Sequence, residues 1–337
     1  MTTLVTGAAG FLGSHLTELL VMTGERPRVL VRPGEDASAL AYADVDVHVG
    51  DLGDRAALEQ AMRGVERVLH CAARTGPWGP EREYERTNVR GLETLVRTAL
   101  AAGVRRFVHV SSITVHGNDV RGWADEGAQL REEPNPYSRS KAAGERLLER
   151  MIQDEGAPVT IVRPGWIYGP RDRASFARIA RMIETGRMTL IGGGDNHLPL
   201  IYVRDAAWGV LLASEAPPAE GRSYLLVNDE PVTQNDFIGA IAAELDAPMP
   251  TRRVPYGLAL RLATAGEALA RLARARRPPP VMRYGIQLLA GENRFTITRA
   301  REDLAFVPLV DLAEGVRRSA KWYRGSHEEA GLAMVPA

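Results

Sequence analysis

Short apolar and β-branched runs alternate with amphipathic stretches through the first half of the chain. Thr3–Thr6, Arg28–Val31, Val45–Val49, Arg67–Cys71, Arg106–Val110 and Val159–Val162 read as six strands. Between them, Leu12, Leu16, Leu19 and Leu20 recur on one face of a helix, and Arg55–Met62, Glu83–Ala102 and Tyr137–Glu155 carry the same period. This alternation predicts a parallel, doubly wound α/β sheet with helices on both faces. Such sheets bind ligands beyond the carboxyl ends of their strands, so residues just after each strand are the candidates for chemistry.

The second half loses the alternation. Ile191–Asn196 is a glycine-rich turn. Tyr202–Ser214 reads as a helix, Tyr224–Asn228 as a strand that rejoins the sheet, and Phe237–Leu245 and Tyr256–Ala275 as helices. Pro278-Pro279-Pro280 is a stiff break. We therefore expect a nucleotide-type domain over 1–170 with a returning strand near 201–230. Residues 171–200 and 231–337 would form a smaller C-terminal α/β substrate-binding domain. The Leu- and Ala-rich face of Tyr256–Ala275 suits a lid over an apolar ligand. Arg271–Arg277 is a short basic run, read as a solvated helix end, with membrane-surface contact as the sharper alternative.

Composition narrows the classes. At 337 residues the chain is long enough for roughly two domains, each with its own core. Lys+Arg and Asp+Glu balance at 42 each, which leaves no electrostatic footprint for nucleic acid or anionic lipid. One cysteine, Cys71, forms no internal disulfide and fits a reducing cytoplasm. No signal-peptide pattern precedes the first strand, and no uncharged run reaches the length of a membrane span. We expect a cytoplasmic protein with a small-molecule substrate and no transmembrane segment. No metal-ligand spacing is apparent.

The most informative segment joins the first strand to the first helix: Thr6-Gly7-Ala8-Ala9-Gly10-Phe11-Leu12-Gly13. Gly7 permits a tight turn, Gly10 leaves no Cβ in the way of a pyrophosphate, and Gly13 lets the helix pack closely. The helix N-terminus then presents N–H groups to the phosphates. Three glycines alone also make an ordinary turn; the strand before and the helix after favour a dinucleotide site.

Tyr137 and Lys141 stand four residues apart, one helical turn, on the same face. A free phenol titrates near 10. An ammonium nearby stabilises phenolate, and the pair makes a general acid/base for a hydroxyl proton. The lysine is also placed to hold a cofactor ribose. Ser112, just past the fifth strand, can hydrogen-bond a substrate oxygen. A solvated Tyr/Lys pair and a loop-capping serine are the plain alternatives. Trp78, Thr114, Trp166 and Tyr168 are weaker candidates for a substrate wall, and each alone also reads as core.

Together these segments resemble the extended short-chain dehydrogenase/reductase family, over nearly the whole chain. The glycine turn matches its TGxxGxxG. Asp51-Leu52 matches the pair at the adenine. His70-Cys71-Ala72-Ala73 matches the segment after strand four, and Thr87-Asn88-Val89-Arg90-Gly91 its NVxG helix. Ser112 precedes Gly117 at the family's distance, Tyr137 and Lys141 match YxxxK, and Arg163–Pro170 matches the RPxxxYGP stretch beside the nicotinamide. The resemblance implies a Rossmann-type fold and Ser112, Tyr137 and Lys141 as the catalytic set. It implies cofactor contacts from Gly7, Gly10, Phe11, Leu12, Gly13, Asp51, Leu52, Ala72, Asn88, Pro164 and Ile167, with Tyr137 and Lys141, and a homodimer packed through the Glu83–Ala102 and Tyr137–Glu155 helices. Gly76–Gly79 followed by Tyr84, and the tail Ala300–Pro308 with Glu314-Gly315, resemble the 3β-hydroxysteroid dehydrogenase and dihydroflavonol reductase branch.

Where an NAD site carries an acid at the end of strand two, this chain has Val31-Arg32. A guanidinium pairs with a 2′-phosphate, which favours NADP(H) over NAD(H); Asp36 could partly neutralise it. The expected reaction interconverts a hydrophobic ketone and a secondary alcohol. Ile113-Thr114-Val115 after Ser112 lacks the Asp-Glu of the sugar dehydratases. NAD-dependent sugar-nucleotide 4-epimerisation is the alternative, and a non-catalytic dinucleotide-binding protein the minor one.

Overall fold

Alternate residues of the expected strands take opposite faces of one sheet, as a period of two requires. In the computed structural model, which describes residues 1–41, 43–120 and 122–332, its strands are β1 Thr3–Thr6, β2 Arg28–Val31, β3 Asp46–Val49, β4 Arg67–His70, β5 Arg106–Val110, β6 Val159–Pro164 and β7 Ser223–Leu226. The spatial order is β7-β6-β5-β4-β1-β2-β3, with every pairing parallel. Leu4, Leu30, Val68, Phe107 and Ile161 join Leu58, Leu95, Leu148 and Met151 in the core on one face. Val5, Val29, Leu69, Val108 and Val162 join Leu16, Leu20 and Val210 on the other. This is the expected Rossmann-type α/β sheet, and its strand order changes direction between β1 and β4, the crevice where a dinucleotide binds.

Three local features shape the carboxyl edge. The Pro136–Glu155 helix starts where Asn135 Oδ1 accepts the Ser138 N–H at 2.9 Å, with Pro136 in its first turn, and stops at Gly156 with φ +63°. Tyr137 thus lies in the first turn and Lys141 one turn on. The single helix expected over Glu83–Ala102 is instead three pieces: Glu81–Glu85, a π-turn Arg86–Gly91, and Leu92–Ala101. The π-turn carries Asn88, where an inserted residue redirects a side chain. At the first βα junction, a Cβ on Gly13 would fall 2.0 Å from the Gly7 carbonyl oxygen, and one on Gly7 (φ +69°) would fall 2.6 Å from Ala72 N.

The C-terminal part shares its core with the sheet. Phe237, Ile241, Phe295, Leu304 and Phe306 belong to the same buried cluster as Val5 and Val108. The Val203–Glu215 helix lies on the sheet face, next to Phe11–Met22. Residues 333–337 of the expected substrate domain lie outside those described. The expected lid needs correction: the Tyr256–Leu272 helix buries Ala259, Ala263 and Glu267, packs Leu260 beside them, and turns Leu258, Leu262, Leu269 and Leu272 outward.

Gly13→Ala tests the close approach. Its methyl group has backbone on the far side, not a movable side chain, so it should cost about 1–3 kcal/mol and also abolish dinucleotide binding. A urea midpoint and a dinucleotide titration matching the parent protein would overturn this account.

Candidate active site

The glycine turn leaves a concave backbone surface in front of the Phe11–Met22 helix. Gly10 caps that helix with no side chain over its N-terminus, and its own N–H is held by the Gly7 carbonyl at 3.0 Å. The N–H groups of Phe11, Leu12 and Gly13 have no intrahelical acceptor by geometry, and no acid sits in the first turn. A pyrophosphate fits this cradle by shape and by charge.

Across the crevice the Ser112 turn and the Tyr137 helix are tied to each other. Ser138 Oγ accepts the Glu133 N–H at 3.0 Å and donates to the Thr114 carbonyl at 3.1 Å. The Ser112 hydroxyl accepts the Thr114 N–H at 3.3 Å and is near enough to the Tyr137 phenol to favour its ionised form. Lys141 is buried and its Nζ donates to the Val110 carbonyl at 2.7 Å. Burial lowers Lys141 to about 8, against the opposing pull of the Glu145 carboxylate. Glu145 is itself fully buried, ion-paired to Arg163 at 2.6 Å and bonded by the Ser111 hydroxyl. One expectation changes here. Burial pushes the Tyr137 phenol above its ordinary range, with the nearby Ser112 hydroxyl pulling the other way. The Lys141 ammonium, engaged by Val110, does not lower it in this state.

Asn88 holds the loop after β4. Its Oδ1 accepts the Arg74 N–H at 2.7 Å, and its Nδ2 donates to the Arg74 carbonyl at 3.0 Å and to Ser140 Oγ at 2.9 Å. Tyr84 donates to the Gly76 carbonyl at 2.6 Å in the same loop. Trp78 reaches from that loop to the C-terminal half, where Nε1 donates to the Ala275 carbonyl at 3.2 Å. Tyr284 was not anticipated from sequence. It stands edge-on to Tyr137, ring centroids 6.4 Å apart at 81°, on the Arg283–Ala290 helix. Burial and the neighbouring Tyr137 both push its phenol upward.

The remaining candidates fall in several places. Ala72 follows β4 and backs Gly7. Pro164 ends β6, and Ile167 lies in a short strand, Trp166–Tyr168, paired with Leu200–Tyr202. Asp51 Oδ1 accepts the Gly53 N–H at 2.9 Å, while Leu52 is buried in the core. Trp166 and Tyr168 share one face of their strand, and both rings pack edge-on against Phe237. Tyr168 is thus a core residue, not a substrate wall. Thr114 is buried and contributes its carbonyl to the Ser138 tie. Arg32 is exposed, but its partner is Glu35, at 3.0 Å, in place of the expected Asp36. Asp36 instead accepts the Ser38 N–H at 2.9 Å. Desolvation pushes the Cys71 thiol up to about 12, which disfavours its thiolate.

A glycine cradle at the switch point of a parallel sheet, facing a Ser-Tyr-Lys cluster, defines a dinucleotide-dependent α/β enzyme. The sequence pattern of the NAD dependent epimerase/dehydratase family matches residues 3–226, and the chain belongs to that family. It is 32% identical over 327 residues to a 2-alkyl-3-oxoalkanoate reductase of Stenotrophomonas maltophilia, covering 94% of this chain and 98% of that one. It is 30% identical to the 4-hydroxy-2-methyl-3-oxo-4-farnesyl-3,4-dihydroquinoline-1-oxide ketoreductase of Stigmatella aurantiaca, covering 94% and 95%. Among solved structures, that of gox2253 superposes with a TM-score of 0.82 at 29% identity, covering 96% and 98%. With named reductases matched along nearly its full length, the chain is an NAD(P)-dependent oxidoreductase.

The depressed Lys141 has a measurable consequence. Between about 8 and the ordinary lysine range the unfolded chain holds a proton that the folded chain has released. Stability therefore rises with pH across that window. Relative to Lys141→Met, the wild-type protein should gain stability from pH 8 to 10 and show no such gain between pH 6 and 7. Urea midpoints measured at each pH check this; parallel curves for the two proteins would refute it.

Proposed function

We propose that this chain is an NADP(H)-dependent ketoreductase, interconverting a ketone and a secondary alcohol on an apolar small molecule. The observation that carries the reading is the Ser112 turn tied through Thr114 and Ser138 to the helix that bears Tyr137 and Lys141, at the sheet edge that also holds the glycine cradle. In reduction, Ser112 holds the carbonyl oxygen and Tyr137 delivers the proton to it. Half-buried and raised in pKa by desolvation, the Tyr137 phenol is kept protonated, as a proton donor must be. Lys141 holds the ribose and places a positive charge one turn from the phenol. The nicotinamide, when bound, supplies or accepts the hydride. Asn88, through Arg74 and Ser140, positions the loop and helix around this set.

An apolar substrate is supported by the Tyr284 ring standing edge-on to Tyr137. The relatives named for a 2-alkyl-3-oxoalkanoate and for a farnesylated quinoline oxide support it too. Arg32 is the proposed 2′-phosphate anchor. Glu35 already engages it, so a 2′-phosphate must compete with a carboxylate, and NAD(H) is admitted as the weaker cofactor. The proposal includes a cytoplasmic homodimer packed through the Glu81–Glu85, Leu92–Ala101 and Pro136–Glu155 helices.

Tyr137→Phe should lower turnover about a thousandfold while dinucleotide binding stays within about twofold of the parent; near-normal turnover would end the mechanism. Arg32→Ala should lower the NADP/NAD ratio of kcat/KM by about tenfold, and Glu35→Gln should raise it. Nucleotide released from the denatured purified protein separates the reaction classes. Near-stoichiometric NAD is the result expected of a 4-epimerase, which regenerates its cofactor in place, and would overturn the ketoreductase reading.

A further inference from the structure

Four of the five exposed leucines among the described residues lie on one helix. The Tyr256–Leu272 helix packs Ala259 and Ala263 against Ile191 and Ile286. Its other side carries Leu258, Leu262, Leu269 and Leu272, exposed by 49%, 62%, 67% and 83%. At 100° per residue these four, with Ala265, fall in an arc of about 80°. Scattered exposed leucines are ordinary, but an aligned stripe over four turns is a contact surface.

Charge identifies what it contacts. Residues 256–283 contain Arg261, Arg271, Arg274, Arg276, Arg277 and Arg283 and a single carboxylate, Glu267. Glu267 is buried and paired to Arg271 at 3.0 Å and to Arg283 at 3.3 Å. The outward face therefore has no acid at all, although the whole chain is neutral. Two copies of this face in two-fold apposition would set arginine against arginine, which disfavours self-association. An anionic bilayer meets both halves of the pattern: the acyl boundary takes the leucines and the phosphates take the guanidiniums. No helix among the described residues is long and apolar enough to cross a membrane, so the contact is peripheral.

We propose that the Tyr256–Leu272 helix and the arginines after it dock the protein on the surface of an anionic phospholipid membrane. The chain that follows this helix borders the candidate site. The Ala275 carbonyl holds Trp78, and the helix that follows Pro278-Pro279-Pro280 carries Tyr284 to Tyr137. An apolar substrate dissolved in the bilayer would enter at this edge without crossing water. That consequence rests on the ketoreductase reading; the docking does not.

Vesicle flotation of the full-length protein tests the docking without any substrate. The protein should float with vesicles of phosphatidylcholine containing about 30% phosphatidylglycerol and not with phosphatidylcholine alone, and high salt should weaken the partition. Leu262→Ser with Leu269→Ser, and separately Arg274→Ala with Arg276→Ala and Arg277→Ala, should each reduce it by about tenfold. These positions are exposed, so melting temperatures should match the parent. Absence of flotation by the parent protein would overturn the proposal, as would variants that float equally well. So would a leucine variant that dissociates an oligomer in sedimentation velocity, which would make the stripe a protein interface.

Discussion

The buried ion pair between Arg163 and Glu145 is the constraint on which the site depends. Both side chains are almost fully removed from solvent, and Arg163 also contacts His116 at 3.2 Å and the Glu126 carbonyl at 3.0 Å. The pair fixes the Tyr137 helix to β6, and Ser111 extends the fixation to the end of β5. Removing one partner would leave an uncompensated charge in the interior, at a cost of roughly 3–5 kcal/mol. The helix is therefore not free to slide, and Lys141, one turn from Glu145, is carried to a set depth beneath the crevice.

Desolvation then decides the charge states. Beside Lys141, burial holds His70 down to about 3 and His109 well below its ordinary value, with the ammonium adding to both effects. Neutral imidazoles under a single ammonium leave that ammonium as the local source of positive charge. The Tyr137 phenol is shifted in the opposite sense by the same burial. One physical cause thus keeps the tyrosine protonated and makes the lysine the more easily deprotonated of the pair.

The opposite wall is built from backbone. Gly7 and Gly13 bring the first turn against Ala72 and against the helix start, where no side chain fits. Asn88 does for the next loop what glycine does for the first, by satisfying both the N–H and the carbonyl of Arg74. The C-terminal helices complete the enclosure from one side only. The Arg283–Ala290 helix brings Tyr284 to Tyr137, and the Tyr256–Leu272 helix packs its alanines beside Ile286 while its leucine stripe faces solvent.

Much of this was legible along the chain because it is local. Period-two strands, the glycine turn, and the spacing of Tyr137 and Lys141 are set within a few residues, and the seven-stranded parallel sheet follows from strand–helix alternation. Ser112 was legible as a residue just past a strand. Contacts between distant segments were not legible. Tyr284 reaches Tyr137 across 147 positions of sequence with no local pattern to mark it. Glu35 and Asp36 follow Arg32 by three and four residues, and only the loop conformation selects Glu35. Trp166 and Tyr168 each read as core before pocket, and Phe237 packed against both rings shows what the local pattern does not. The period of Tyr256–Ala275 specifies an apolar stripe but not the side on which the rest of the protein lies. Sequence determined which faces exist, through periodicity and backbone sterics. Tertiary structure decided which of them is buried, because burial is a relation between segments that no single segment encodes.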